Sequence, residues 1–508
     1  METVISLGVF FVVMVGIGIW GMKKTKTLND FYLGGRDIGL WMSAFAYGTT
    51  YFSAVLFVGF AGQLGWKFGL NALWIALGNA VGGSLLAWLV LGGRTRRMTQ
   101  NLNAMTMPEF FHERFDASYL KIIAAIIIFI FLTPYTASVF KGLGNLFGER
   151  FGISYESALL WMTLITGVYL VLGGYFAVNL TDFVQGIIML GGSLVMVWML
   201  VGKFGGSEHV IANISAKYAE HVPPAKQPDF WTVASLVFMT SFGTWGMPQM
   251  VQKFYAIKND RIIVKAAIAT TVFALIIAGA AYFTGSMTHL SFETVPVIAG
   301  TQKPDFDLMI PQMLTTNLPA WLLALIILLI LSASMSTLSS LVLVAAGAIS
   351  IDLYKGHINP AVPKEKSLLM IRAMSAVFVV ISWLIATYKI AFIVTLMSLS
   401  WGVVAGAFMA PFIYGLYWKR TTALSVLASM VTALLVTGGS MLWLVLKFAD
   451  GMATYQMYST KISCVAMLLP FVIVPVVSLL TKAPEKAVID KAFGGAAATV
   501  HEKEAVAA

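Results

Sequence analysis

In the run Leu331-Ser332-Ala333-Ser334-Met335-Ser336-Thr337-Leu338-Ser339-Ser340, small polar residues recur at a helical spacing. Ala333, Ser336, Thr337 and Ser340 stand at i, i+3, i+4 and i+7, so on a helix they share one face. Hydroxyl oxygens and a carbonyl beside an alanine form a set of hard donors, the kind that holds hard cations. With few formal charges in the set a monovalent ion fits better, and sodium is the expectation. The same hydroxyls could instead bond back to carbonyls one turn earlier. Asp182, in Asn179-Leu180-Thr181-Asp182-Phe183, reads as the one acid set inside an apolar stretch. An ionisable group there is costly and is a functional candidate. It could bind a cation, relay a proton, pair with a basic residue, or merely reach the interface.

Two further stretches place polar residues and glycine at the middle of an apolar run. One reads Tyr47-Gly48-Thr49-Thr50-Tyr51-Phe52-Ser53, the other Thr240-Ser241-Phe242-Gly243-Thr244-Trp245-Gly246. They suggest two discontinuous helices, whose freed backbone groups must line a cavity because lipid cannot satisfy them. The plainer alternative is that glycine and threonine only allow close helix packing.

The elements that must position these residues follow from composition. Of 508 residues, 59% are hydrophobic and only 11% charged. That excludes a soluble enzyme, a disordered chain and a nucleic-acid binder. The net charge of +10 therefore reads as cytoplasmic loops rather than a DNA footprint. A spanning helix needs about 20 apolar residues. Thirteen such runs can be read, near 3–22, 40–61, 70–92, 119–146, 157–175, 178–201, 230–253, 262–286, 319–351, 369–387, 391–418, 422–446 and 462–481. With the N-terminus outside and the C-terminus inside, 23 of the 33 Lys and Arg fall on the inner side. The two polar-broken runs then cross in opposite directions, five spans apart, as an inverted five-helix repeat requires.

Segments near 202–229 and 287–318 read as long external loops with short surface helices, and 483–508 as a solvated tail. The N-terminal run is flanked by Glu2 before and Lys23, Lys24 and Lys26 after, the wrong order for a cleaved signal. The lone Cys464 cannot form an internal disulfide. Neither an ATP-binding P-loop, a zinc-protease HExxH nor a GxSxG elbow occurs, so the reading is not an enzyme.

Together the motifs resemble the sodium:solute symporters. They are Asp30-Phe31-Tyr32-Leu33-Gly34-Gly35-Arg36, Gly173-Gly174-Tyr175-Phe176-Ala177-Val178, Thr181-Asp182, Val184-Gln185, Met335-Ser336-Thr337-Leu338-Ser339, Asp352-Leu353-Tyr354 and Lys482-Ala483-Pro484. The resemblance spans nearly the whole chain. It implies an all-α integral membrane protein with LeuT-like inverted five-helix repeats and 13 transmembrane helices. The symporter domain would cover 1–482: an extra helix at 3–22, repeats at 40–201 and 230–418, two helices within 422–481, then a cytoplasmic tail at 483–508.

The resemblance also implies roles. A main sodium site would use the carbonyls of Thr49, Phe52 and Ala333 with Ser336 and Thr337. A second, found in some members, would use Asp182 with Ser336, Ser339 and Ser340, giving two sodium ions per cycle. Ser53 and Tyr135 match substrate positions of proline-carrying members, while Thr240 and Thr244 replace an aromatic pair and Tyr51 an aspartate; Asn79 is a further polar candidate. The implied activity is sodium-coupled import of a small organic solute, an amino acid or small carboxylate first, across the cell inner membrane. The implied partners are solute, sodium and the lipid bilayer, with no nucleic acid and no obligatory protein. Proton coupling through Asp182, a sugar- or vitamin-type solute, and a non-transporting channel or sensor are the alternatives.

Overall fold

The structure, a computed structural model, describes residues 2–24, 28–172, 175–297 and 303–494. The motif glycines Gly173 and Gly174 and the tail beyond 494 lie outside the described residues. Among the described residues the fold is all-helical, with no strand and two isolated backbone bridges. Nine helical stretches among the described residues are long and apolar enough to cross a membrane. They are Val55–Asn101, Ser118–Phe151, Val178–Lys203, Asp260–Leu290, Ala320–Ile358, Lys366–Thr387, Ile393–Tyr417, Ala423–Lys447 and Gly451–Leu480. Further helices at Glu2–Lys24, Leu40–Tyr51, Tyr155–Leu172 and Phe230–Phe242 fall on the remaining apolar runs of the sequence. The first stretch turns at Gly69, whose φ of +55° suits a residue without a Cβ.

Burial is graded. The stretch Ile393–Tyr417 is 94% buried and Ala320–Ile358 89%, whereas Ala423–Lys447 is 22%. The two buried stretches are therefore the centre of the bundle, and the least buried one presents its Leu435, Leu442 and Trp443 outward. Close approach is achieved by glycine: a Cβ on Gly285 would meet the carbonyl oxygen of Ala61 at 2.1 Å.

Five helices matter for the site. They are α1 (Leu40–Tyr51), α2 (Tyr175–Lys203), α3 (Phe230–Phe242), α4 (Pro248–Tyr255) and α5 (Ala320–Gly347). α5 runs on through a π-helical segment, Ala348–Ile358. Both polar-broken runs are indeed interrupted. α1 stops where Phe52 is extended (φ −114°, ψ 124°), and helix resumes at Val55. After α3 comes a 3-10 turn, Gly243–Trp245, then extended Met247, and α4 starts on Pro248.

The first break lies three residues beyond Tyr47-Gly48-Thr49, at Phe52, whereas the second begins at Gly243-Thr244 itself. Gly48 sits in regular helix, where the Phe273 ring would be 2.6 Å from a Cβ; its role there is close packing.

The loops carry short helices, Gly206–His221 and Met309–Asn317. The start of the tail is also ordered. Helix Lys486–Phe493 docks, with Lys491 Nζ 2.6 Å from a Glu113 carboxylate oxygen and Asn101 Nδ2 donating to the Ala492 carbonyl at 3.1 Å.

Candidate functional site

The last carbonyls of a helix have no N–H one turn ahead. At the end of α1 those of Thr49 and Thr50 are met instead by the hydroxyls of α5. Ser336 Oγ donates to Thr49 O at 2.9 Å, and Thr337 Oγ1 reaches Thr50 O at 3.0 Å and Thr49 O at 3.4 Å. The same two hydroxyls also lie 3.0 and 3.1 Å from Ala333 O. Four oxygens thus converge where α1 ends: two carbonyls, from Thr49 and Ala333, and the hydroxyls of Ser336 and Thr337. All four residues are fully buried. Back-bonding within α5 does occur, but Ser336 and Thr337 bridge to α1 as well. Phe52 terminates α1 in the extended conformation, which takes its carbonyl out of the helical ladder.

Across the break, the amides are also served by hydroxyls. Ala54 N donates to Ser334 Oγ at 3.1 Å, and Val55 N to Ser53 Oγ at 3.2 Å. Ser340 Oγ is 3.0 Å from Thr50 Oγ1, and Ser339 Oγ donates to Ser336 O at 2.9 Å.

Beside the α1 break lies a cavity. Ser53, Asn79, Tyr135 and Thr240 line it, with Tyr51, Phe52, Phe60, Tyr282, Met397 and Trp401 supplying an aromatic and apolar wall. Thr244 does not; its hydroxyl goes to the carbonyls of Ser241 and Gly83. Tyr51 donates its hydroxyl to Thr240 O at 2.6 Å and so ties the two breaks together. Tyr135 meets Trp401 edge-on at 5.9 Å. Sequence reasoning missed Tyr282, Met397 and Trp401. Polar-tipped aromatics inside apolar runs were the one available signal for Tyr282 and Trp401, and Met397 carried none.

Asp182 is fully buried, and of the options left open by the sequence the structure shows pairing. Its carboxylate oxygen Oδ2 is 3.3 Å from Lys253 Nζ, on α4. Oδ1 has no hydrogen-bond partner. Its partner is thus an ammonium, not Ser336, Ser339 or Ser340. Nor is Asp182 the only buried acid, which corrects the sequence reading. Asp307 and Asp352 are also 0% exposed. Asp307 sits in what reads as an external loop, yet Lys141 Nζ lies 2.7 Å from it and the Ile393 amide donates to it at 3.2 Å. Asp352 reads as a helix end, yet the π-helical extension of α5 keeps it inside.

One end of the bundle gathers arginines and a lysine. There, Ile38 N donates to Ala256 O and Lys258 N to Ile38 O, both at 3.1 Å, zipping the entry of α1 to the exit of α4. Arg36 caps Ala104 O at 2.6 Å, and Arg96 reaches Ile257 O at 2.9 Å and Asp260 at 3.1 Å. Arg114 donates to Gly415 O at 2.9 Å.

A sodium:solute symporter family model matches residues 31–433. The chain is 30% identical over 495 residues to the osmoregulated proline transporter of Bacillus subtilis, covering 96% of each chain. It is 29% identical over 499 residues to the sodium/proline symporter of Escherichia coli K12, covering 97% of this chain and 95% of that one. Among solved structures it is similar to a substrate-bound, outward-open Na+-coupled sialic acid symporter. There the TM-score is 0.75 at 18% identity, covering 96% of this chain and 98% of the other, a likeness of fold.

Proposed function

The chain belongs to the sodium:solute symporter family, and on that premise we propose that it imports a small organic solute by alternating access, driven by sodium. The observation that carries this reading is the convergence of Thr49 O, Ala333 O, Ser336 Oγ and Thr337 Oγ1 at the end of α1, against the wall of a buried cavity. Replacing hydroxyl–carbonyl hydrogen bonds by a cation there costs no charge desolvation on the protein side, because every donor is neutral. Sodium at Thr49, Phe52, Ala333, Ser336 and Thr337 would hold α1 against α5 and keep the cavity in its solute-binding shape. Each positive charge carried inward gains about 2.3 kcal/mol per 100 mV of membrane potential.

The cavity suits a compact zwitterion or small carboxylate. Ser53, Asn79 and Tyr135 offer hydrogen bonds, and Phe60, Met397 and Trp401 cover apolar surface. The printed names of the relatives favour proline. Tyr51 and Thr240 widen the class to other small amino acids, since they are bonded to each other rather than shaped around one ring. A second sodium at Asp182, Ser336, Ser339 and Ser340 would take the place of the Lys253 ammonium as counter-ion. The membrane frame of this proposal has LeuT-like inverted repeats at 40–201 and 230–418 and 13 spans. The N-terminus lies outside and the C-terminus inside the cell inner membrane. The gathering of Arg36, Arg96, Arg114 and Lys258 at one end supports that orientation.

The test is a flux ratio in proteoliposomes, with solutes first found by a sodium-dependent thermal-shift screen. Two sodium ions per solute are expected. A ratio of one removes the second site, and uptake indifferent to sodium removes the whole reading. Uptake that follows pH instead would mean proton coupling.

A further inference from the structure

A second, smaller cavity lies at the basic end of the bundle. Its polar lining comes from Thr106, Gln252, Tyr255 and Asp352, with Tyr32, Val344 and four apolar residues making the rest of the wall. Two of these side chains are buried with an unused polar atom. Asp352 is 0% exposed and its Oδ2 has no hydrogen-bond partner. Tyr255 is 1% exposed and its hydroxyl has none either. Each such atom costs desolvation free energy that no bond offsets, and two of them line this one cavity.

The neighbouring charges do not use up that carboxylate. Its other oxygen, Oδ1, accepts from Thr106 Oγ1 at 2.7 Å. Lys121 Nζ makes a long ion pair with the same Oδ1, 3.8 Å away, and shares it with Glu109 at 3.4 Å, so Oδ2 alone is left without a partner. Glu109 is also held by the Met105 amide at 2.9 Å. Arg36 gives its guanidinium hydrogens to Thr99, Ala104 O and the Tyr255 carbonyl and makes no hydrogen bond to the Tyr255 hydroxyl. A buried carboxylate with an unpartnered oxygen is costly unless a cation or donor meets it.

The place of this cavity in the fold suggests which cation. It lies on the continuation of the helix that carries the hydroxyl stripe. Val344, four residues after Ser340 and on the same face, forms part of its wall. Asp352 follows Ser340 by 12 residues, about 18 Å along the axis toward the basic end. Carboxylate, phenol, hydroxyl and amide oxygens are again hard donors. We propose that Asp352, Tyr255, Thr106 and Gln252 form an inner sodium station, occupied by the ion between its release from the α1–α5 site and its escape to the cytoplasm. The inference rests on the sodium-coupled reading and adds to it a site distinct from both sodium sites above.

Equilibrium binding of 22Na+ to the purified full-length protein in detergent, with choline holding ionic strength constant, tests it. Asp352→Asn should bind one sodium ion fewer per chain at saturation, and Asp352→Glu should restore the count. Tyr255→Phe should keep the count but weaken that ion roughly tenfold, the effect of losing one ligand to a charge. Thr337→Ala should remove a different ion, so the double variant loses both. Melting temperatures in potassium chloride should match the wild type for Tyr255→Phe and Asp352→Glu. An unchanged sodium count in Asp352→Asn overturns the station while leaving the symport reading intact. So does loss of one and the same ion in Asp352→Asn and Thr337→Ala. A wild type that binds no sodium at all overturns both.

Discussion

Thr337→Ala removes a hydroxyl that lies 3.0 Å from Thr50 O and 3.1 Å from Ala333 O. Two consequences can be separated. In the folded, ion-free protein the Thr50 carbonyl loses its partner. Leaving such a buried group unsatisfied costs about 1–3 kcal/mol, a lower melting temperature but a folded chain. In the sodium-bound protein the cation loses one of five oxygens. A bond to a charged group contributes about 1.5–3 kcal/mol, which is roughly tenfold to a hundredfold in sodium affinity. Thr337→Ser keeps the hydroxyl and should restore sodium affinity to near wild type. Ser336→Ala should behave like Thr337→Ala, because Ser336 Oγ lies 2.9 Å from Thr49 O. The assay is the sodium concentration for half-maximal solute uptake in proteoliposomes, read beside the melting temperature in sodium and in potassium. If both alanine variants keep wild-type sodium dependence while inserted and folded, the four-oxygen cluster is a packing device and the site assignment fails.

Other outcomes follow from the buried charges and close contacts. Asp182→Asn should insert into membranes but lose up to about 3–5 kcal/mol of stability, because it removes the carboxylate 3.3 Å from the buried Lys253 ammonium, and it should weaken sodium dependence. Asp182→Asn with Lys253→Met should recover most of that stability, as thermal unfolding of the double variant would report. Asp305, outside the spans, has its carboxyl pushed up by burial first and by Asp307 second. For a carboxyl raised in the fold, the destabilising charge is present at neutral pH and is relieved as pH falls through the raised value. Asp305→Asn keeps the cap on the Asp307 amide, 3.1 Å away, so it should raise the melting temperature at pH 7 with a gain that shrinks on acidification. Gly285→Ala places a Cβ against the Ala61 backbone and should sharply reduce folded protein, measured by fluorescence-detected size exclusion.

How much could be read without coordinates differs by residue. The spans were legible because lipid demands long apolar runs with no exposed backbone. The Ser336–Thr337 cluster was legible because a helical period puts both hydroxyls on one face. The exact first break was not. Gly48 looks like an interruption but serves the Phe273 contact, and the chain opens four residues later, where the hydroxyls of Ser334 and Ser53 accept the freed amides. The partner of Asp182 was hidden too. Lys253 is 71 residues away in sequence and reads as an inner flank of its span. Asp307 and Asp352 sit where hydropathy reads loop and helix end, and only the packing of Lys141, Ile393 and Thr106 around them makes them interior. Tyr282 and Trp401 face the cavity through tertiary packing, which no local pattern encodes.

The central claim is that solute movement is tied to sodium movement. The most direct measurement is solute accumulation in proteoliposomes under an inward sodium gradient, followed by its collapse with a sodium ionophore. The account predicts concentration above the outside level while the gradient lasts, and loss of the accumulated solute once it is dissipated. Accumulation that survives collapse of the sodium gradient, or that never requires sodium, would contradict it.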